Sequence, residues 1–154
     1  MSQFVNIFCR KVAGLSQEEF VNQVSEFWYG DEELAFSFSD DGDVDPSVRW
    51  SAVVITIPEI GRPVTVKWDV DRDAVSTLVD ETLEELGDDA PTGVGKHLQA
   101  VRSVFGIEIF PETFEDDTWE FLDLMEAFLA RHLDGIVVTD DGVYDQNLKP
   151  LVER

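Results

Sequence analysis

Two runs of aspartates have the spacing with which an EF-hand calcium loop begins: Asp41-x-Asp43-x-Asp45 and Asp69-x-Asp71-x-Asp73. An EF-hand also requires Gly at the sixth position, for a sharp turn, and a bidentate Glu at the twelfth. The sequence has Pro46 and Ala74 at the sixth positions, and Ala52 and Asp80 at the twelfth. Neither run is predicted to be an EF-hand, and we expect no metal or other cofactor. A weak surface calcium site stays open beside the ordinary use of Asp in turns and helix caps.

The segment Thr92 to Lys96 is similar to a phosphate-binding loop that leads into a helix. The full pattern requires Gly at position 90 and Ser or Thr at position 97, where the sequence has Ala90 and His97. Nucleotide binding is therefore not predicted.

The same region, from Ala90 to Ile107, has no acidic residue and contains Lys96, His97 and Arg102. Two interpretations stay open. A helix here neutralises the acidic helix that precedes it, or it forms a small anion-binding edge.

The sequence offers little for catalysis. His97 and His132 are the only histidines, and no nucleophile-elbow pattern surrounds any Ser. His132 follows Arg131 in the last turn of a predicted helix, where the helix dipole favours cations. Carboxylates are so numerous that no pair of them indicates acid–base chemistry. We predict no catalytic residue and expect that the protein is not an enzyme.

Charge is the strongest signal in the sequence. Its 154 residues include 33 Asp and Glu against 11 Lys and Arg, a formal net charge of -22 at pH 7. Such a surface attracts cationic partners, and it lacks the basic face that binding to phosphates requires. We expect a basic protein partner and no direct binding to nucleic acid. Adaptation to a salt-rich cytoplasm, or general solubility, is the alternative explanation of the acidity.

The apolar content, 44%, is typical of a globular protein, and 154 residues suit one domain over residues 1–154. No stretch approaches the roughly 20 apolar residues that span a bilayer. The N-terminus, MSQFVNIFCRK, has a strand-like alternation where a secretory signal needs a continuous apolar run. We therefore expect a cytoplasmic protein without a membrane partner. Cys9 is the only cysteine, so no internal disulfide is predicted.

The first half is predicted to contain one helix and four strands. A strand from Phe4 to Val12 precedes a helix that begins at Ser16, since Ser16 and Glu19 have capping-box spacing. Two of the next three strands alternate apolar and polar residues. The strand between them, Val48 to Ile57, is apolar on both faces and is predicted to be central.

The second half is predicted to be mostly helical. Asp73 is expected to cap a helix that ends at Gly87, and further helices are predicted over Val94 to Phe105 and Asp117 to Leu133. Asp117 and Glu120 have capping-box spacing. A short strand, Ile107 to Phe110, separates the last two helices, and a β-hairpin over residues 136–144 closes the chain.

The predicted order of elements is β-α-β-β-β-α-α-β-α-β-β. Strands and helices that are grouped in this way indicate an α+β fold, a mostly antiparallel sheet with helices packed on one face. The predicted core contains the apolar residues that mark the inner faces of successive elements: Phe20, Val24, Phe27, Phe36, Phe38, Val54, Val66, Trp68, Leu78, Val101, Phe121, Met125, Phe128 and Ile136.

The candidate binding site is the end of the helix that runs to Gly87. Glu84 and Glu85 lie in its last turn, where negative charge opposes the helix dipole by about 0.3–1 kcal/mol each. Folding alone gives no reason for acids at this place. We predict a partner-binding surface made of Asp80, Glu81, Glu84, Glu85, Asp88 and Asp89, with Trp28 and Tyr29 as an aromatic anchor beside it.

The chain resembles the small acidic cytoplasmic proteins that protect bacteria as immunity partners of secreted polymorphic toxins. The resemblance lies in size, acidity, a lone cysteine, α+β order and the closing segment LDGIVVTDDGVYD, residues 133–145. It implies inhibition of a toxin enzyme, often a nuclease with a basic active site, by masking that site. Acidic proteins that imitate nucleic acid, and so inhibit DNA-binding proteins, share the electrostatics and stay open as an alternative.

Overall fold

The structure is a computed structural model that describes residues 2–12, 14–28, 30, 32–39, 50–58, 60–87 and 91–153. The described residues form four α-helices and eight strands. The helices are α1 (Gln17–Ser25), α2 (Arg72–Leu86), α3 (Thr92–Gln99) and α4 (Asp116–His132). The strands are β1 (Gln3–Cys9), β2 (Ala35–Phe38), β3 (Ala52–Thr56), β4 (Val64–Asp69), β5 (Ser103–Ile109), β6 (Gly135–Thr139), β7 (Gly142–Tyr144) and β8 (Pro150–Glu153).

The predicted α+β class and order of elements are confirmed. The strands form an antiparallel sheet in the order β2-β3-β4-β5-β1-β6-β7-β8. One strand was missing from the prediction: β8, which pairs antiparallel with β7. The predicted closing hairpin is β6 and β7, in which Thr139 pairs with Gly142.

The chain divides into two compact units. The first unit contains residues 1–4, 14–68 and 106–125, and the second contains residues 5–13, 69–105 and 126–154. The single domain over residues 1–154 stays a prediction.

An aromatic cluster forms the core of the first unit. Phe20 of α1, which is fully buried, lies edge-on against Phe36 and Phe38 of β2, with ring centroids 6.1 Å away in both cases. Its ring centroid lies 4.8 Å from that of Trp50, which in turn contacts Trp68 of β4 at 5.4 Å. Edge-to-face pairs of this kind add to the hydrophobic energy of burial. The cluster therefore holds α1 against the sheet formed by β2, β3 and β4.

In the second unit, both faces of β1 are buried. Phe8 pairs with Ile136 and lies in a hydrophobic cluster with residues of α2 and α3. On the opposite face, Ile7 pairs with Val137, and both are fully buried. Cys9 also lies on this face without exposure. Burial in low dielectric disfavours the thiolate and raises the pKa of Cys9 to about 12.

Two helices begin at residues that the sequence analysis did not choose. The N-cap of α2 is Asp71 and not Asp73: the Asp71 carboxylate accepts a hydrogen bond from the backbone N–H of Ala74 at 3.2 Å. In α4 the predicted pair Asp117 and Glu120 does not form the capping box. The hydroxyl of Thr118 instead accepts from the backbone N–H of Glu115 at 3.2 Å. In both helices the capping hydrogen bond lies two residues before the predicted position.

The predicted capping box of α1 is confirmed for the hydrogen bond between Ser16 and Glu19. The hydroxyl of Ser16 accepts from the backbone N–H of Glu19 at 3.0 Å. The predicted central strand is shorter than expected: β3 covers Ala52–Thr56, flanked by β2 and β4, and positions 48 and 49 lie outside the described residues.

The predicted helix over Val94 to Phe105 is wrong in its second half. Helix α3 ends at Gln99, and β5 begins at Ser103, so that Phe105 belongs to a strand. Of the predicted core, Phe20, Val24, Val66, Trp68, Phe121, Met125 and Ile136 are buried. The other members are half-buried: Phe27, Phe36, Phe38, Val54, Leu78, Val101 and Phe128.

Candidate functional site

Helix α2 carries the described part of the predicted binding surface. It begins at the Asp71 cap and ends at Gly87, whose φ of 58° is the left-handed conformation that glycine adopts most readily. All five acids of α2 are exposed, and we call the four in its C-terminal half the α2 acidic face: Asp80, Glu81, Glu84 and Glu85.

The α2 acidic face lies opposite the buried side of the helix. At 100° per residue the four acids span roughly 140° of the circumference. Val75, Val79 and Leu86 are buried on the other side. Packing therefore turns all four carboxylates toward solvent together.

Local electrostatics disfavour this arrangement. Glu84 and Glu85 lie at the negative end of the helix dipole, and the last turn of α2 contains no basic residue. Asp80 with Glu84, and Glu81 with Glu85, are like-charged pairs at i,i+4 spacing, which destabilise a helix by about 0.2–0.5 kcal/mol each. The acids of α2 thus oppose helix stability while remaining accessible to a partner.

Three of the predicted site residues, Asp88, Asp89 and Tyr29, lie outside the described residues. The predicted aromatic anchor Trp28 is half-buried and has structural contacts. Its indole N–H donates to the carbonyl oxygen of Glu32 at 3.0 Å, and its ring contacts Phe121 edge-on at 5.9 Å. Trp28 belongs to the first unit and the α2 acidic face to the second. The anchor beside the acids therefore stays a prediction.

His97 does not belong to an exposed cationic edge. Only 7% of it is exposed, and its Nε2 lies 2.7 Å from the carbonyl oxygen of Phe8. A carbonyl only accepts, so Nε2 carries the proton and donates it. Burial lowers the pKa of His97, which favours the neutral ring. Lys96 and Arg102 are exposed, and α3 packs beside α2.

A small polar pocket of about 260 Å³ lies beside His97. Arg10 donates from Nε to the carboxylate of Asp134 at 2.9 Å, and Gln146 donates to the other oxygen at 2.9 Å. The hydrogen bond from Arg10 holds the pKa of Asp134 below its usual value. Ser103, in the same unit, donates its hydroxyl to the carbonyl oxygen of Lys11 at 3.2 Å. The pocket thus contains an ion pair that links β1 to the residues around β6 and the loop after β7.

A groove of the second unit, larger than this pocket, was not predicted. It has a volume of about 800 Å³ and lies along α2 and the C-terminal half of α3. Arg72 and Arg102 line it together with aliphatic side chains such as Val79 and Leu98. The acid-free stretch from Ala90 to Ile107, which contains Arg102, was the one available signal. The distance in sequence between Arg72 and Arg102 concealed their common groove.

No metal centre is formed by the described residues: nowhere among them do three His, Cys, Asp or Glu side chains converge as ligands would. Asp71 of the second aspartate run caps α2. The first run, Asp41 to Asp45, lies outside the described residues. Within the described parts of the chain, no helix is both long and apolar enough to cross a membrane.

Comparison with known proteins gives no relative from which a role could be transferred: no protein-family model, curated protein or solved structure matches the chain.

Proposed function

We propose that the protein is an acidic binding module that recognises a basic protein partner through the α2 acidic face. The observation that carries the proposal is the position of Glu81, Glu84 and Glu85, exposed together on the solvent side of a helix end where their charge is locally unfavourable. Residues that depart from local preference are more common at functional sites than elsewhere.

The acids of α4 make a contrast. Asp116 and Asp117 lie in the first turn of that helix, where negative charge stabilises the dipole. The helix dipole favours them at this place, whereas it disfavours Glu84 and Glu85 at the end of α2. This difference favours a partner over a uniformly salt-adapted surface, which would need no acids at unfavourable positions.

The chemistry of the interaction is electrostatic steering. A negative face accelerates encounter with a basic surface and aligns it before contact. We propose further that the partner is a toxin enzyme with a basic active site, that binding masks this site in the cytoplasm, and that the module itself catalyses nothing. This role follows from the resemblance to immunity proteins.

The test compares two triple variants that remove the same charge. The α2 variant carries Glu81→Gln, Glu84→Gln and Glu85→Gln, and the α4 variant carries Asp116→Asn, Asp117→Asn and Glu120→Gln. Partners are captured from the native host with the wild-type protein, and association rates are then measured at low and high salt. We expect the α2 variant to associate several-fold to about tenfold more slowly at low salt, and the α4 variant to be close to wild type.

Three results would contradict the proposal. Equal slowing in both variants means that only the total charge matters. No slowing in either means that the acids are a solvated surface. If the captured proteins bind equally well to an unrelated acidic protein of similar net charge, they do not form a specific complex with this protein.

A further inference from the structure

The groove along α2 and α3, which we call the α2–α3 groove, combines an apolar wall with cationic side chains. Along α2 its lining residues follow helical spacing: Arg72, Val75, Ser76, Val79, Asp80 and Leu83. From Arg72 to Leu83 this stripe is about 16 Å long, at 1.5 Å per residue. The groove volume, about 800 Å³, lies within the range of small-molecule sites.

The opposite wall is also apolar. Leu98 and Val101 line it, and Val12, which follows β1, adds an aliphatic side chain that is 50% exposed. Val75, Val79 and Leu98 are buried, so the aliphatic surface that the groove leaves in contact with water belongs to Val12, Val70, Leu83 and Val101. A ligand with an aliphatic chain would remove this surface from water.

The side chains that line the groove carry a net positive charge, whereas the net charge of the whole chain is negative. Arg72 and Arg102 are both exposed, and neither forms an ion pair with a carboxylate of the described residues. Among the described residues that line the groove, Asp80 is the one acid. In a chain with a net charge of -22, these two exposed guanidinium groups give the groove a local positive charge that favours an anion.

From this combination we infer that the α2–α3 groove binds an aliphatic carboxylate, a single unbranched chain whose carboxylate pairs with Arg72 and Arg102 and whose methylene groups lie against the accessible side chains of Val12, Leu83 and Val101. Guanidinium groups bind carboxylates through paired hydrogen bonds. The wall of α2, about 16 Å long, suits an extended chain better than a compact ring system.

A peptide is a less suitable occupant. Extended peptides bind best where an open strand edge or a set of free backbone groups pairs with their amides. Most of the lining residues belong to helices α2 and α3, whose backbone hydrogen bonds are made internally. A methylene chain needs no such partners. The groove shares only Asp80 with the α2 acidic face, and the inference does not use that residue, because Glu81, Glu84 and Glu85 do not line the groove.

The experiment measures binding of decanoate, below the concentration at which it forms micelles, by titration calorimetry of the full chain. We expect saturable binding with one site, and markedly weaker binding of decanol, which has the same chain without the charge. Arg72→Gln and Arg102→Gln should each weaken decanoate binding by roughly three- to tenfold. Ser76→Phe, which fills the groove from the exposed side of α2, should abolish it.

Arg62→Gln is the matched control, because Arg62 lies in the first unit with its guanidinium 4.8 Å from the ring centroid of Phe110. This variant should bind decanoate as the wild type does, and circular dichroism should show all four variants folded. Several outcomes would overturn the inference. They are absence of saturable binding, equal binding of decanol and decanoate, arginine variants no weaker than Arg62→Gln, and tighter binding of an apolar pentapeptide with a free carboxylate.

Discussion

The imidazole Nε2 of His97 lies 2.7 Å from the carbonyl oxygen of Phe8, which joins α3 to the neighbouring strand β1. The two residues are 89 positions apart in sequence and both are buried. The hydrogen bond satisfies a polar side chain that would otherwise be desolvated inside the hydrophobic part of the second unit.

His97 is expected to make stability depend on pH. Its folded pKa is lowered, mainly by burial, so the unfolded chain binds more protons than the folded chain once the pH falls below the usual His value of 6.5. Above pH 6.5 the ring is neutral and the free energy of unfolding should have its full value. Below pH 6.5 the free energy of unfolding should decrease. The free energy of unfolding is measured by urea unfolding of wild type and His97→Gln at each pH between about 7.5 and 5.5. Its slope against pH should differ between the two proteins, because Gln does not titrate.

His132→Gln is the control for this measurement, since His132 is half-buried in the last turn of α4. Comparison at each pH removes the general effect of protonating acids. If His97→Gln has the same slope as wild type, the ring of His97 is not held neutral.

The acids of α2 and α4 should affect stability in opposite directions. Glu84→Gln with Glu85→Gln relieves repulsion at the C-terminal end of α2 and should raise the free energy of unfolding by about 0.3–1 kcal/mol at low salt. Asp116→Asn with Asp117→Asn removes favourable charge from the start of α4 and should lower it by a similar amount. Chemical denaturation at low and high salt tests both, and added salt should reduce both differences.

The cap of α2 can be assigned by substitution. Asp71→Ala should destabilise the protein by about 1 kcal/mol, whereas Asp71→Asn should be nearly neutral, because Asn caps about as well as Asp. Asp73→Ala should have the smaller effect, since Asp73 lies in the first turn and contributes only its charge. A thermal melt in which Asp73→Ala is the more damaging of the two Ala variants would reverse the assignment.

Two glycines should respond oppositely to Ala. A Cβ on Gly135 would lie 2.9 Å from Cγ2 of Ile7 and 3.1 Å from Sγ of Cys9, both fully buried. Gly135→Ala should therefore destabilise the protein by about 1–3 kcal/mol. Gly95 lies in α3 with nothing within 4 Å of its Cβ position, and Gly95→Ala should stabilise by about 0.5–1 kcal/mol. The expected signs differ, so unfolding midpoints of the two variants test the packing directly.

Most of the helices and strands could be predicted from residues that are close together in the sequence. The Ser16 and Glu19 spacing located the start of α1, and Gly87 located the end of α2, because caps depend on residues close in sequence. The helix predicted to Phe105 failed because Val101 and Phe105 continue the helical spacing, and a short apolar run does not distinguish helix from strand. Strand β8 was missed because it begins at Pro150 and is only four residues long.

The candidate site was predictable only where it lies on one element. The acids of α2 share a helix, so their spacing in sequence placed Asp80, Glu81, Glu84 and Glu85 on one exposed side. Tertiary packing placed the rest: it buried His97 against Phe8, and it brought Arg72 and Arg102 to one groove across thirty positions of sequence. Long-range contacts of this kind leave no periodic signal.

The fully buried thiol of Cys9 gives the protein an internal reporter of strand opening. Because the pKa of Cys9 is raised to about 12 and its sulfur is shielded, an alkylating reagent reacts only with molecules in which β1 has opened. The labelling rate thus measures how often this strand leaves the sheet, and the measurement needs no engineered probe. If a ligand slows the labelling of this buried thiol, the ligand stabilises the second unit against opening.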